Sequence, residues 1–124
     1  MNALLVIAHG SRRKKSNEEV NALAQLIRAQ NSNDFDIVES AFLELADVLI
    51  PEGIERCVNA GATHITITPY FLNSGRHVTE DIPHEVNQVR PLYPNVTIQV
   101  TPHVGASSSM LSLIIQTAKQ SPIS

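Results

Sequence analysis

Apolar and polar positions along this chain switch between two periods, and the switching predicts strands separated by helices. Residues 3 to 8, ALLVIA, are apolar without interruption, as in a central parallel strand covered on both faces. Ser16 and Glu19 then stand at capping-box spacing, and Val20, Leu23, Ala24 and Ile27 recur on one helical face. Asp36 to Phe42 mixes polar with apolar positions, which suits an edge strand. Pro51 fits the first turn of a second helix, with Ile54, Cys57 and Val58 as its apolar stripe and Gly61 as its stop. His64 to Thr68 is β-branched and reads as a third strand. A third helix is expected from near Pro83, with Val86 and Val89 turned inward and an end before Pro91 or Pro94. Val96 to Val100 alternates as a fourth strand. Met110, Leu111, Ile114, Ile115 and Ala118 are expected to face inward from a last helix.

Four strand–helix units in 124 residues predict one α/β domain spanning residues 1–124, a parallel sheet between two helical layers. The order 2-1-3-4 puts the most apolar strand in the centre and the mixed strands two and four at the edges. Composition narrows the partners. The formal net charge of -3 gives no basic field for nucleic acid, and 4% aromatic content gives no base-stacking platform. The N-terminal apolar run is too short for a signal peptide's core, lacks a basic leader, and nothing is long enough to span a membrane, so a cytoplasmic protein is expected. Cys57 is the one cysteine, which excludes an intrachain disulfide and a Cys-based zinc site; on a predicted apolar face it reads as an inert buried thiol.

In an open parallel sheet, ligands bind beyond the carboxyl ends of the strands. Strand one runs out at His9, strand two through AFLE at Glu44, strand three through PYFLNSGRH at His77 and strand four through TPH at His103. Glu44 follows His9 by 35 residues and His77 follows Glu44 by 33, close to one strand–helix unit each, so residues scattered in sequence fall on one rim. Two imidazoles and a carboxylate suit a borderline divalent cation such as cobalt, nickel, iron or zinc, and suit calcium or magnesium poorly. His64 precedes its strand and belongs at the opposite end, while His84 reads as helix surface. The run Arg12 to Lys15 follows His9 directly and Arg76 approaches from strand three, a cationic setting for a substrate with several carboxylates. No GxxxxGK[ST], GxGxxG or GxSxG motif is present, so NTP hydrolysis, dinucleotide binding and a nucleophile elbow are not indicated. Histidine phosphatase chemistry wants Arg before the histidine, where this chain has Ala8.

LLVIAHGSR and ESAFLELADVLIPEGIERCVNAGATHITITPYFLNSGRHVTEDIP together resemble the small CbiX-type sirohydrochlorin chelatases, ATP-independent class II chelatases of cobalamin and sirohaem biosynthesis. AFLE, PxFLxxGxH and the following DIP, in that order, carry the resemblance, which spans about residues 3 to 90. It implies a flavodoxin-like, chelatase-like α/β/α fold and insertion of a divalent metal into sirohydrochlorin, with cobalt ahead of nickel and iron. It implies His9, His77 and Glu44 as catalytic residues and metal ligands, with the metal as substrate and no tightly bound cofactor. Ser11, Arg12, Arg13 and Arg76 then become candidate substrate-binding residues. Longer family members fuse two halves, so a chain of this length implies a homodimer with its cavity between subunits. The alternative is a cobalt or nickel carrier without insertion activity, which needs the histidines but not the basic rim. A non-catalytic interaction domain leaves the rim cluster unexplained.

Overall fold

A computed structural model describes residues 1–30 and 34–124. Four parallel strands form one sheet, β1 (Asn2–Ala8), β2 (Ile37–Phe42), β3 (His64–Pro69) and β4 (Thr97–Val100), in the order β2-β1-β3-β4. The expected order is therefore the observed one. β1 pairs on both edges, Leu5 lying opposite Glu39 of β2 and Ile67 of β3, and only an apolar strand tolerates that central position.

Alternation along the strands sorts the two faces. Ala3, Leu5, Ile7, Ile65, Ile67 and Ile98 point to one side and are almost fully buried. Helix α2 (Ile50–Asn59) and helix α3 (Ile82–Val89) cover them with Ile54, Cys57, Ile82, Val86 and Val89. Burial first, then the negative charge of Glu39, pushes the Cys57 thiol up to about 12, as expected of an inert thiol. On the opposite face α1 (Lys14–Gln30) packs on β2, and Ala24 is buried, as are Val6, Ala8, Val38 and Phe42 of the strands. Farther along that face lie Thr66 and Thr68 of β3, Gln99 of β4 and Thr101 just past it; Gln99 bonds Thr66 and Thr101 bonds Thr68.

Three local expectations are corrected. Ser16 lies inside the first turns of α1; the Ser11 hydroxyl, accepting from the Arg13 N–H at 3.0 Å, organises the approach instead. The third helical segment starts earlier than Pro83, with a π-helical turn His77–Asp81 running directly into α3. The last helix, α4 (Ser109–Ala118), buries none of its residues. Leu111, Leu113, Ile114 and Ile115 are 72, 53, 59 and 56% exposed, because the sheet face free to receive them is lined with threonine and glutamine rather than apolar side chains.

Gly53 marks the tightest helix–sheet contact. A Cβ there would lie 2.7 Å from that of Ala41 and 3.2 Å from the Leu5 side chain. Gly53→Ala should therefore lower the thermal unfolding midpoint, overpacking of about 1–3 kcal/mol exceeding a helix-propensity gain of about 1 kcal/mol. A raised midpoint in a thermal melt would show that α2 has room to move.

Candidate functional site

The strands point one way, so their carboxyl ends share a rim. β1 surfaces at His9 and β2 at Leu43–Glu44, and the pairing continues past both strands. The Leu43 N–H donates to the Ala8 carbonyl at 3.0 Å and the Glu44 N–H to the His9 carbonyl at 3.1 Å. Gly10 then turns at φ +96°, and a Cβ on it would sit 1.7 Å from the Glu44 carbonyl oxygen. Only glycine satisfies both demands. The result is a side-chain contact between residues far apart in sequence, with His9 Nε2 3.2 Å from Glu44 Oε1.

β3 delivers the second imidazole. After Pro69 the Tyr70 N–H still donates to the Ile7 carbonyl at 2.7 Å, and the chain then crosses the rim to the π-helical turn. That turn brings His77 Nδ1 within 2.7 Å of Asp81 Oδ2. The rings of His9 and His77 stack with centroids 4.4 Å apart and planes inclined by 33°. Each imidazole thus has one nitrogen engaged by a carboxylate, which leaves the other nitrogen of each neutral ring with its lone pair. All four side chains are roughly half-exposed, open to a ligand arriving from solvent.

The structure therefore brings His9, Glu44 and His77 together. Among the described residues no three His, Cys, Asp or Glu side chains already form a cation cage. His103 stands just before the 3-10 turn Val104–Ala106, with its carbonyl accepting from Ala106; among the described residues no side-chain bond links it to the histidine pair. His64 bonds Thr63 at the amino end of β3, the opposite end of the sheet, and His84 is exposed on α3, where it bonds Gln88.

The cationic set divides. Arg12 lines a cavity of about 620 Å³ with Ser11, Lys14, Asp47 and Arg56 beside the β2 edge. Arg76 lies 3.4 Å from Glu80 on the exposed surface, and Arg13 is exposed at the start of α1. Sequence reasoning missed Arg56, because a cation in the last turn of a helix reads as a partner for the helix dipole. It also missed Asp81, which the H-x-x-x-D spacing could have signalled had the helix been extended back to His77.

The fold is an open parallel α/β sheet, with His9, Glu44 and His77 gathered at the carboxyl end of its strands. The sequence model of the CbiX family matches residues 3–121, and the chain belongs to that family. It is 34% identical to a sirohydrochlorin ferrochelatase of Priestia megaterium over 94% of this chain and 43% of that protein. It is 40% identical to a sirohydrochlorin cobaltochelatase of Methanococcus maripaludis over 67% of this chain and 56% of that protein. The solved structure of SirB from Bacillus subtilis with Fe3+ superposes with a TM-score of 0.84 at 33% identity, covering 98% of this chain and 48% of SirB. The chain thus spans about half the length of the curated relatives it matches. Among the described residues no helix is long and apolar enough to cross a membrane.

Gly10→Ala tests the interlock. The clash and the left-handed backbone together should cost at least about 2 kcal/mol in denaturant unfolding, with faster amide exchange at Leu43 and Glu44. Wild-type stability in that variant would mean the two loops are not held by this contact.

Proposed function

We propose that this chain inserts a divalent metal into sirohydrochlorin without ATP, with cobalt the first candidate and nickel and iron next. The observation that carries this reading is the stacked His9–His77 pair, each ring backed by its own carboxylate at the ligand-binding rim. Neutral imidazoles suit all three metals. The relatives named above include both a ferrochelatase and a cobaltochelatase, and the higher identity is to the latter.

The chemistry needs two N–H protons to leave the macrocycle as one divalent ion enters. In this proposal His9 and His77 take the ion through their open lone pairs, with Glu44 within reach of it. As the ring nitrogens displace them, each imidazole regains its lone pair and accepts one proton. Glu44 and Asp81 stabilise the two imidazolium ions that form. Two protons thus have two acceptors, and the metal changes ligands without changing oxidation state. Ser11, Arg12, Arg13 and Arg76 hold the peripheral carboxylates of the substrate, and Arg56 joins them from α2.

An anaerobic absorbance time course with sirohydrochlorin and Co2+, Ni2+ or Fe2+ tests this directly. Wild type should outpace the uncatalysed reaction, and His9→Ala should lose about a hundredfold or more of that rate while keeping its fold. Near-normal insertion by His9→Ala would refute its role. Tight metal binding with no acceleration by wild type would make the chain a carrier.

The active form in this proposal is a homodimer, and α4 supports it. Residues 104–118 carry no charge, and four large aliphatic side chains of α4 expose on the order of 400 Å² of apolar surface. Two copies that bury each other's helix would supply about half of the roughly 800 Å² per partner of a standard interface, as the apolar centre of a larger contact. Sedimentation should show a dimer for wild type and a shift to monomer for Ile114→Asp. A wild type that stays monomeric as concentration rises would remove the dimer from the proposal.

A further inference from the structure

Asn17, in the first turns of α1, bonds to both loops that carry the rim chemistry. Its Oδ1 accepts from the Ser11 N–H at 2.9 Å, and its Nδ2 donates to the Ser11 carbonyl at 2.9 Å. The second N–H of the same amide donates to the Leu45 carbonyl, also at 2.9 Å. Ser11 lies two residues after His9, and Leu45 immediately after Glu44. One half-buried side chain therefore ties the exit of β1 to the exit of β2.

The residue type is dictated by what it meets. Two carbonyl oxygens need two donors and one N–H needs an acceptor, and a primary amide supplies that set on a short stem. Aspartate has the same shape but would put carboxylate oxygen against both carbonyls. Leu45 adds a second reason for the clamp. It is the one non-glycine residue with positive φ among the described residues, at +57°, and nearly half its surface is exposed, so burial contributes little to holding it there. A left-handed leucine persists only where its surroundings enforce it. The Asn17 bond to its carbonyl is one such constraint, and the Gly10 contact with the preceding residue is the other.

We propose that Asn17 is a positioning residue: its amide locks the His9 and Glu44 loops into one unit and so sets the spacing of the metal-handling pair. Its consequence for insertion rests on the chelatase reading above; the clamp itself does not. No ring atom of the substrate and no metal need touch Asn17. Its effect passes through the Ser11 and Leu45 backbones to His9 and Glu44.

The test uses the full chain as wild type, Asn17→Ala, Asn17→Asp and, as a control, Asn21→Ala. Asn21 lies one turn farther along α1 and bonds the Ser40 hydroxyl on β2, so its loss removes a helix–strand bond without touching the loops. Three quantities are read: amide exchange at Leu43 and Glu44, affinity for Co2+ alone, and kcat with KM for sirohydrochlorin. In Asn17→Ala, exchange at those two amides should quicken while Val6 in mid-strand stays protected. Co2+ affinity should weaken about tenfold or more, and kcat should fall with KM within about twofold of wild type. Asn17→Asp should match or exceed these losses, and it decides the matter if the alanine variant does not fold. Asn21→Ala should leave the exchange at Leu43 and Glu44 and the Co2+ affinity unchanged. The proposal is overturned if folded Asn17 variants keep wild-type exchange at Leu43 and Glu44, or if Asn21→Ala produces the same changes. Should wild type neither bind Co2+ nor accelerate insertion, the chelatase reading fails, and the exchange data alone judge the clamp.

Discussion

Gly10 meets the carbonyl of Glu44 where two parallel strands surface side by side, and the rim is arranged around that contact. Backbone bonds carry the β1–β2 pairing past the ends of both strands, to His9 and Glu44, which is closer than any side chain at residue 10 would allow. That closeness places an imidazole beside a carboxylate from another strand–helix unit. The anchor beneath it is the burial of β1, whose Leu5 and Ile7 are fully enclosed and cannot slide without exposing the core. A slip of one residue would exchange the enclosed Leu5 and Ile7 with Val6 and Ala8 of the other buried face, which differ in size, and carry His9 away from Glu44.

The second half of the site is built by different means. His77 arrives on a helical turn, and its carboxylate partner comes from the same turn rather than from a neighbouring strand. A π-helical turn is an uncommon local geometry that recurs at functional sites, and here it leads straight into a regular helix seated on the core. One imidazole is therefore held by sheet register and the other by helix geometry. Both remain half-exposed, which leaves a ligand from solvent an open path to the stacked rings. The rim also adjoins the least covered part of the molecule. Gly105, at the base of α4, packs against the Leu72 carbonyl in the loop that leads to His77, so whatever covers α4 lies near the loop that delivers that histidine.

Much of this was legible in the chain itself. A continuous apolar run, a mixed edge strand and β-branched HITIT announced the strands and their order, because burial on two faces or one leaves distinct periods. The placement of His9, Glu44 and His77 on one rim followed from the parallel topology, since each leaves the carboxyl end of a strand. The helix boundaries were less legible. Ser16 and Glu19 have capping spacing, yet Ser11 had already begun to organise the turn, and capping chemistry depends on where the chain enters rather than on spacing alone.

What the sequence determined by itself was periodicity, strand order and the residue types delivered to the rim. Tertiary structure alone decided the rest, because it depends on side chains meeting across long separations. An apolar stripe on α4 is visible in sequence, but whether it meets an apolar face depends on β3 and β4, and theirs is threonine and glutamine. The spacing of His9 from Glu44, the stacking of His9 on His77 and the Asn17 clamp arise the same way. Local pattern records how each segment buries its own surface. Only the assembled fold determines which segments end up in contact.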